Sequence, residues 1–143
     1  MNGFDAKQVF NGAYGECWFD GQYMAEVTAC KGEINIKYEA VSRVRNLIDG
    51  QKMVGMEGKG EVKLHKVSSF IMKKVSDSLK AGKTPSFTII SKIDDPDAAG
   101  GERVAYYNCK LDKAILSDWE RGKKLEESYS FTFEDWELLD TAR

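Results

Sequence analysis

Between Ser128 and Leu139 the chain permits little except an extended strand. Tyr129, Phe131 and Phe133 alternate with Ser128, Ser130 and Thr132, so a period of two sets an aromatic face against a hydroxylated one. Exposed aromatic rows can stack nucleic-acid bases, but such sheets also bring a basic groove. This strand is instead followed by Glu134, Asp135 and Glu137, so core packing is the better account. At Glu134-Asp135 the phase slips, and Trp136 and Leu138 are expected to carry the apolar face onward. That is the pattern of a bulge and a bend.

The rest of the chain reads as a mostly β (α+β) fold around one helix. Asp20-Gly21 between Trp18-Phe19 and Gln22-Tyr23 is a two-residue hairpin signal. Tyr23, Ala25, Val27 and Ala29 share a parity. Lys31-Gly32 then interrupts, and Ile34, Ile36, Tyr38 and Ala40 take the opposite one, which predicts a bulge or turn at the glycine. From Val41 to Gly60 the pattern dissolves into an irregular arm, and alternation resumes with Val62 and Leu64. A helix is predicted over about 69–81. Ser68 or Ser69 caps it, Val67 is placed for a hydrophobic staple, Phe70, Ile71, Val75 and Leu79 fall on one side, and Gly82 and Pro85 stop it. Residues 87–93 and 104–109 are apolar on both faces, so they belong at covered positions or present a face to a partner subunit. Ala114-Ile115-Leu116 and the aromatic strand complete an antiparallel sandwich or barrel of two sheets with one flanking helix, a single domain over residues 1–143.

Composition narrows the function classes. With 42% hydrophobic and 31% charged residues the chain belongs with globular proteins, and a net charge of -2 favours neither nucleic acid nor an anionic membrane. Cys17, Cys30 and Cys109 give an odd count without C-x-x-C spacing, which suits reduced thiols in a cytosol better than a disulfide scaffold or a metal framework. Met1-Asn2-Gly3-Phe4-Asp5 lacks the blocks of a signal peptide.

No motif reads as a reaction centre. His65 shares the parity of Glu61 and Lys63, on the polar face of a strand. Gly55-Met56-Glu57-Gly58-Lys59-Gly60 opens a strand rather than a helix, so it reads as a hinge at the base of the arm and not as a phosphate loop. Asp94, Asp95, Asp97 and Glu102 resemble a calcium loop, but Ala99 and Tyr106 occupy ligand positions, and turn chemistry explains Asp-Pro-Asp and Gly-Gly. The expectation is no catalytic, cofactor or metal residue, and no enzyme. The alternative class, a small β-barrel ligand-binding protein or cofactor-dependent enzyme domain, would need an enclosed pocket with converging polar groups.

Six segments, in chain order, resemble the tail tube family of contractile phages and phage-like particles, of the PBSX type. They are Gly15-Glu16-Cys17-Trp18-Phe19-Asp20-Gly21-Gln22, the strand Glu33 to Ala40, the stretch Gly58 to Ser69, Pro85-Ser86-Phe87-Thr88, Gly101-Glu102-Arg103-Val104, and Ser130 to Trp136. The resemblance implies two antiparallel sheets closed into a barrel-like sandwich, an architecture shared with the type VI secretion tube. It also implies subunits in six-membered rings whose strands join across neighbours, and rings stacked into a hollow tube inside a sheath. Implied partners are further copies of the chain and the sheath, baseplate and terminator proteins, with DNA only as non-specific lumen cargo. The implied location is the tail of a virion or phage-like particle assembled in the bacterial cytoplasm. A ring of six such subunits would carry about -12, which suits a wall that DNA slides past.

Within such a tube, residues 41–60 are expected to form a ring-to-ring contact arm, mobile in the free subunit and ordered on assembly. Arg43, Arg45 and Lys52 are solvating, whereas Leu47, Ile48, Val54 and Met56 are too scattered to bury themselves. Ordering such an arm costs roughly 1 kcal/mol or more per residue, which a neighbour's burial must offset.

Overall fold

The computed structural model describes residue 3 and residues 5–142. Met1, Asn2, Phe4 and Arg143 lie outside the described residues, so the reading of the first five residues is largely untouched by it. Eight strands follow in chain order: β1 (Gly15–Phe19), β2 (Gln22–Tyr23), β3 (Val27–Val41), β4 (Gly50–His65), β5 (Phe87–Ile93), β6 (Glu102–Leu111), β7 (Glu126–Phe133) and β8 (Asp135–Asp140). A single α-helix, α1 (Phe70–Lys80), lies between β4 and β5. The strands form one antiparallel path, β2-β1-β5-β6-β7-β4-β3, with β8 also on β6. The path folds at β6. Residues 102–109 of β6 pair with β5 and residues 103–107 with β8, while Lys110 and Leu111 cross to Thr132 and Phe131 of β7. The mostly β antiparallel fold with one helix is therefore as expected, with β6 as the hinge between the two sheets.

The slip at Glu134 is the second hinge. β7 ends at Phe133 on one sheet and β8 begins at Asp135 on the other, and the Glu134 N–H donates to the Tyr107 carbonyl at 3.1 Å. One strand thus serves both sheets by bending, the device that makes a corner in orthogonal packing. Tyr129, Phe131 and Phe133 are buried in one core with Phe19, Val62, Leu64, Phe87 and Ile89. Trp136 packs edge-on against Phe133 but is 39% exposed, and Leu138 is 61% exposed. Beyond the bend the apolar face leaves the core, contrary to expectation, because β8 is an edge strand.

The Asp20-Gly21 turn is as expected. Trp18 faces Tyr23 and Phe19 faces Gln22, with both turn residues at positive φ, 50° and 84°, as the hairpin twist requires. The strand break, in contrast, falls at Ala25-Glu26 and not at Lys31-Gly32. Met24 tucks into the core and Val27 N–H closes a turn on its carbonyl. β3 then runs through Gly32 in register with Gly60. Gly32 has another reason: a Cβ there would lie 2.3 Å from the Tyr106 hydroxyl oxygen. Gly58 and Gly60 repeat it, since a Cβ would meet the Phe133 ring at 2.5 Å or the Phe131 ring at 2.2 Å. The three glycines leave room for three aromatic rings, Tyr106, Phe133 and Phe131, which pack against one another at tilted angles. The hinge reading of the 55–60 glycines is corrected accordingly, because Gly58 and Gly60 are paired strand positions opposite Phe133 and Phe131.

The helix ends as its sequence dictates. Gly82, at φ 70°, donates to the Leu79 carbonyl, and Lys83 N–H reaches Ser78 at 2.9 Å, the paired bonds of a Schellman cap. Its start differs. Ser69 occupies the cap position without a side-chain bond, Val67 is exposed and makes no staple, and only Ile71 and Val75 of the apolar side are fully buried. Residues 114–116 form no strand. Asp112 exchanges bonds with Ser130 and ends the ladder there, leaving Ala114 and Ile115 packed on the core and Leu116 exposed.

A candidate assembly interface

The β3–β4 hairpin is longer than the body it grows from. β7 pairs with β4 only from Gly58 to His65, whereas β3 and β4 stay paired to Val41 and Gly50. Seven residues of two-stranded ribbon therefore run past Ile34↔Gly58, a reach of about 23 Å at strand rise. The expectation of an irregular segment over 41–60 is corrected: Gly50 to Gly60 is strand, and only 42–49 is loop. The register shift between Lys37 and Tyr38, which leaves Val54 as the extra residue, hides the period of two from the sequence.

Cross-strand pairing decides which face is which. Lys31, Glu33 and Asn35 lie opposite Glu61, Lys59 and Glu57 on one face of the sheet, with ion pairs such as Lys31–Glu33 at 3.6 Å along it. Ile34, Ile36 with Met56, and Tyr38 with Met53 continue the opposite, core-side face. In the body that face is covered by the aromatic rings. Along the arm nothing among the described residues covers it: Ile36, Tyr38, Met53 and Met56 are all about half exposed. At the tip Val44, Leu47 and Ile48 are 93%, 104% and 73% exposed. Of the eighteen large apolar side chains exposed among the described residues, nine lie between Ile36 and Met56, so the apolar surface is a localised patch.

The sequence-derived arm residues fall at distinct places on this hairpin. Arg43 holds the tip together, its guanidinium donating to the Ile48 carbonyl at 3.0 Å, while Arg45 takes the turn at φ 60°. Leu47 and Ile48 sit at the tip, Lys52 opposes Glu39, Val54 is the bulge residue and Met56 opposes Ile36. Ile36 and Tyr38 read from sequence as an ordinary strand face, and neither they nor Met53 are among the arm residues named there. Their alternation is that of a buried face, and the only signal that the body stops before them is the glycine pair at 58 and 60, whose aromatic partners run out at Phe133.

The other candidate groups have structural occupations. His65 is on the exposed face, 3.7 Å from Glu126. Asp95 is buried, and its carboxylate accepts from the backbone N–H groups of Asn11 and Asp97, each at 2.9 Å, so it ties the N-terminal segment to the 94–101 loop. Asp95→Ala leaves both donors without their partner and should cost about 1–3 kcal/mol, read as a lower denaturant midpoint at unchanged slope. Tyr129 donates to the buried Glu127 at 3.0 Å, and Lys66 lies 3.6 Å from the same carboxylate. Burial and the neighbouring Glu127 charge push the Tyr129 phenol above its ordinary value.

A family model described as phage tail tube protein matches residues 2–140. Two proteins of Bacillus subtilis (strain 168), the phage-like element PBSX protein XkdM and protein YqbM, are each 29% identical over 135 residues, covering 93% of this chain and 92% of theirs. In fold the chain is similar to a component of the PVC sheath-tube complex of an extracellular contractile injection system in its extended state. The TM-score is 0.71 at 5% identity, over 97% of this chain and 100% of that one. It is likewise similar to a chain of the anti-feeding prophage tube-terminating cap, with TM-score 0.72 at 6% identity, over 98% and 97%.

Proposed function

The chain belongs to the phage tail tube protein family, and on that premise we propose that it is the repeating structural subunit of the inner tube of a contractile phage or phage-tail-like particle, built of stacked six-membered rings. The observation that carries this reading is the arm, whose apolar face continues the core stripe beyond anything among the described residues that could cover it. A second copy is its natural cover. Burying a large apolar side chain is worth about 1.5–3 kcal/mol, so half-exposed Ile36, Tyr38, Met53 and Met56 with the tip residues offer on the order of 5 kcal/mol or more per subunit. The arm residues named from sequence divide the work: Leu47, Ile48, Val54 and Met56 give contact area, Arg43 shapes the tip, and Arg45 and Lys52 keep it solvated before contact.

Strand edges supply the second element of the reading. The outer edges of β3 and β8 pair with no other strand among the described residues, and a ring that pairs them between neighbours removes the aggregation hazard of open edges. The sheath, baseplate and terminator proteins are the further partners, and DNA passes as unspecific cargo. Assembly takes place in the bacterial cytoplasm, and the role is mechanical rather than catalytic. Light scattering of the subunit co-expressed with its tail proteins should show particles many times the 16.1 kDa of one chain. A species that stays monomeric through all concentrations and with all tail partners present would refute the proposal.

A further inference from the structure

β1 and β3 stand near opposite ends of the hydrogen-bonded strand path, yet they pack against each other where the sheet curls back on itself. No ladder closes this seam. It holds a groove of about 410 Å³ lined by Gly15, Met24, Ala29 and Lys92, together with Cys17 of β1 and Cys30 of β3. Cys17 is fully buried at the groove and Cys30 is half-buried, so only the second is open to a reagent in solution. We propose that Cys17 and Cys30 form a dithiol site across the seam, which a small-molecule disulfide oxidises to an internal bridge joining β1 to β3.

The surroundings assign the two thiols different parts. The neighbouring Cys17 side chain holds the Cys30 thiol below its usual value in spite of burial, and Ser91 assists. The same contact, and burial, push Cys17 up. Cys30, the one a reagent can reach, is therefore the attacking thiol and the buried Cys17 the resolving one. Cys30 attacks one sulfur of the reagent, displacing one thiolate and leaving a mixed disulfide. Cys17 then gives up its proton and attacks the Cys30 sulfur, displacing the second thiolate. Two protein thiols and one reagent disulfide become one protein disulfide and two reagent thiols, so the protein loses two electrons and the reagent gains them. Cys109 stands apart: burial raises it to about 12, and its S–H is directed at the Tyr106 carbonyl at 3.3 Å. A reducing cytosol keeps the pair open, and an oxidising exterior closes it.

The test is incubation of the folded chain with oxidised glutathione, followed by thiol counting and peptide mapping under non-reducing conditions. Two of the three thiols should disappear in a monomeric product whose map joins Cys17 to Cys30. Its Tm should rise by about 10 °C, the effect of removing the loop-closure entropy of about 14 residues from the unfolded chain. Cys17→Ala should stop at a glutathione adduct on Cys30, Cys30→Ser should not react, and Cys109→Ser should behave as the parent. Three thiols remaining free in the folded parent would overturn the proposal, as would a bridge to Cys109 or a stable adduct in place of the bridge. None of these outcomes depends on tube assembly.

Discussion

Excising residues 37–55 and joining Ile36 to Met56 through an Asn-Gly turn is expected to leave the subunit's melting temperature within about 3 °C of the parent while abolishing tube formation. Ile36 and Met56 are already cross-strand partners, so a two-residue turn closes the shortened ribbon without changing register. What is removed has no covering element among the described residues, and the core aromatics sit entirely on the retained side of Gly58. The loss falls on assembly because the excised segment carries Tyr38, Met53 and the exposed tip. A milder pair, Tyr38→Thr with Met53→Thr, keeps strand-forming residues but thins the stripe, and should weaken assembly without preventing it. If the excision unfolds the subunit, the arm is part of the core and the account of it is wrong.

Gly60→Ala is expected to be among the most damaging single-methyl additions in the chain, costing about 3 kcal/mol, or roughly 10 °C in Tm at this chain length. Its Cβ would lie 2.2 Å from the Phe131 ring and 2.5 Å from the Lys31 carbonyl oxygen, so both a buried ring and a strand must move. Gly58→Ala meets the Phe133 ring first, at 2.5 Å. Shrinking that ring should therefore relieve it. Phe133→Leu and Gly58→Ala should each destabilise alone, and the double variant should cost less than the two together. Denaturant melts of the four proteins of that cycle measure the coupling directly. Strict additivity would mean that the ring does not rest on the glycine.

Much of this fold is legible because local chemistry and tertiary role coincide. The Asp20-Gly21 turn, the Gly82 helix stop and the bend at Glu134 are each set by residues within a few positions, and the structure has all three. The aromatic alternation of Tyr129, Phe131 and Phe133 is buried because strands on both sides cover it. What misled was glycine and apolar spacing read without a partner strand. Gly32, Gly58 and Gly60 look like breaks, but they are spaces for rings contributed by residues as much as 75 positions away. The bulge at Val54 breaks the alternation of β4 within the arm, four residues beyond Gly58, so a paired strand reads as a loop. Leu138 and Trp136 fit the core pattern as well as Phe133 does, and only the sheet order makes them peripheral. The arm's stranded apolar residues on the tip and on β4 were visible in the sequence. The half of its apolar face on β3 was not, because alternation alone cannot say where a body ends.

The most direct test of the assembly account is a cryo-EM map of the tube formed when the chain is co-expressed with its tail proteins. The account predicts a hollow cylinder of stacked rings in which Ile36, Tyr38, Met53 and Met56 are buried against another subunit. A tube in which the hairpin lies in solvent, its apolar face touching no other copy, would contradict it.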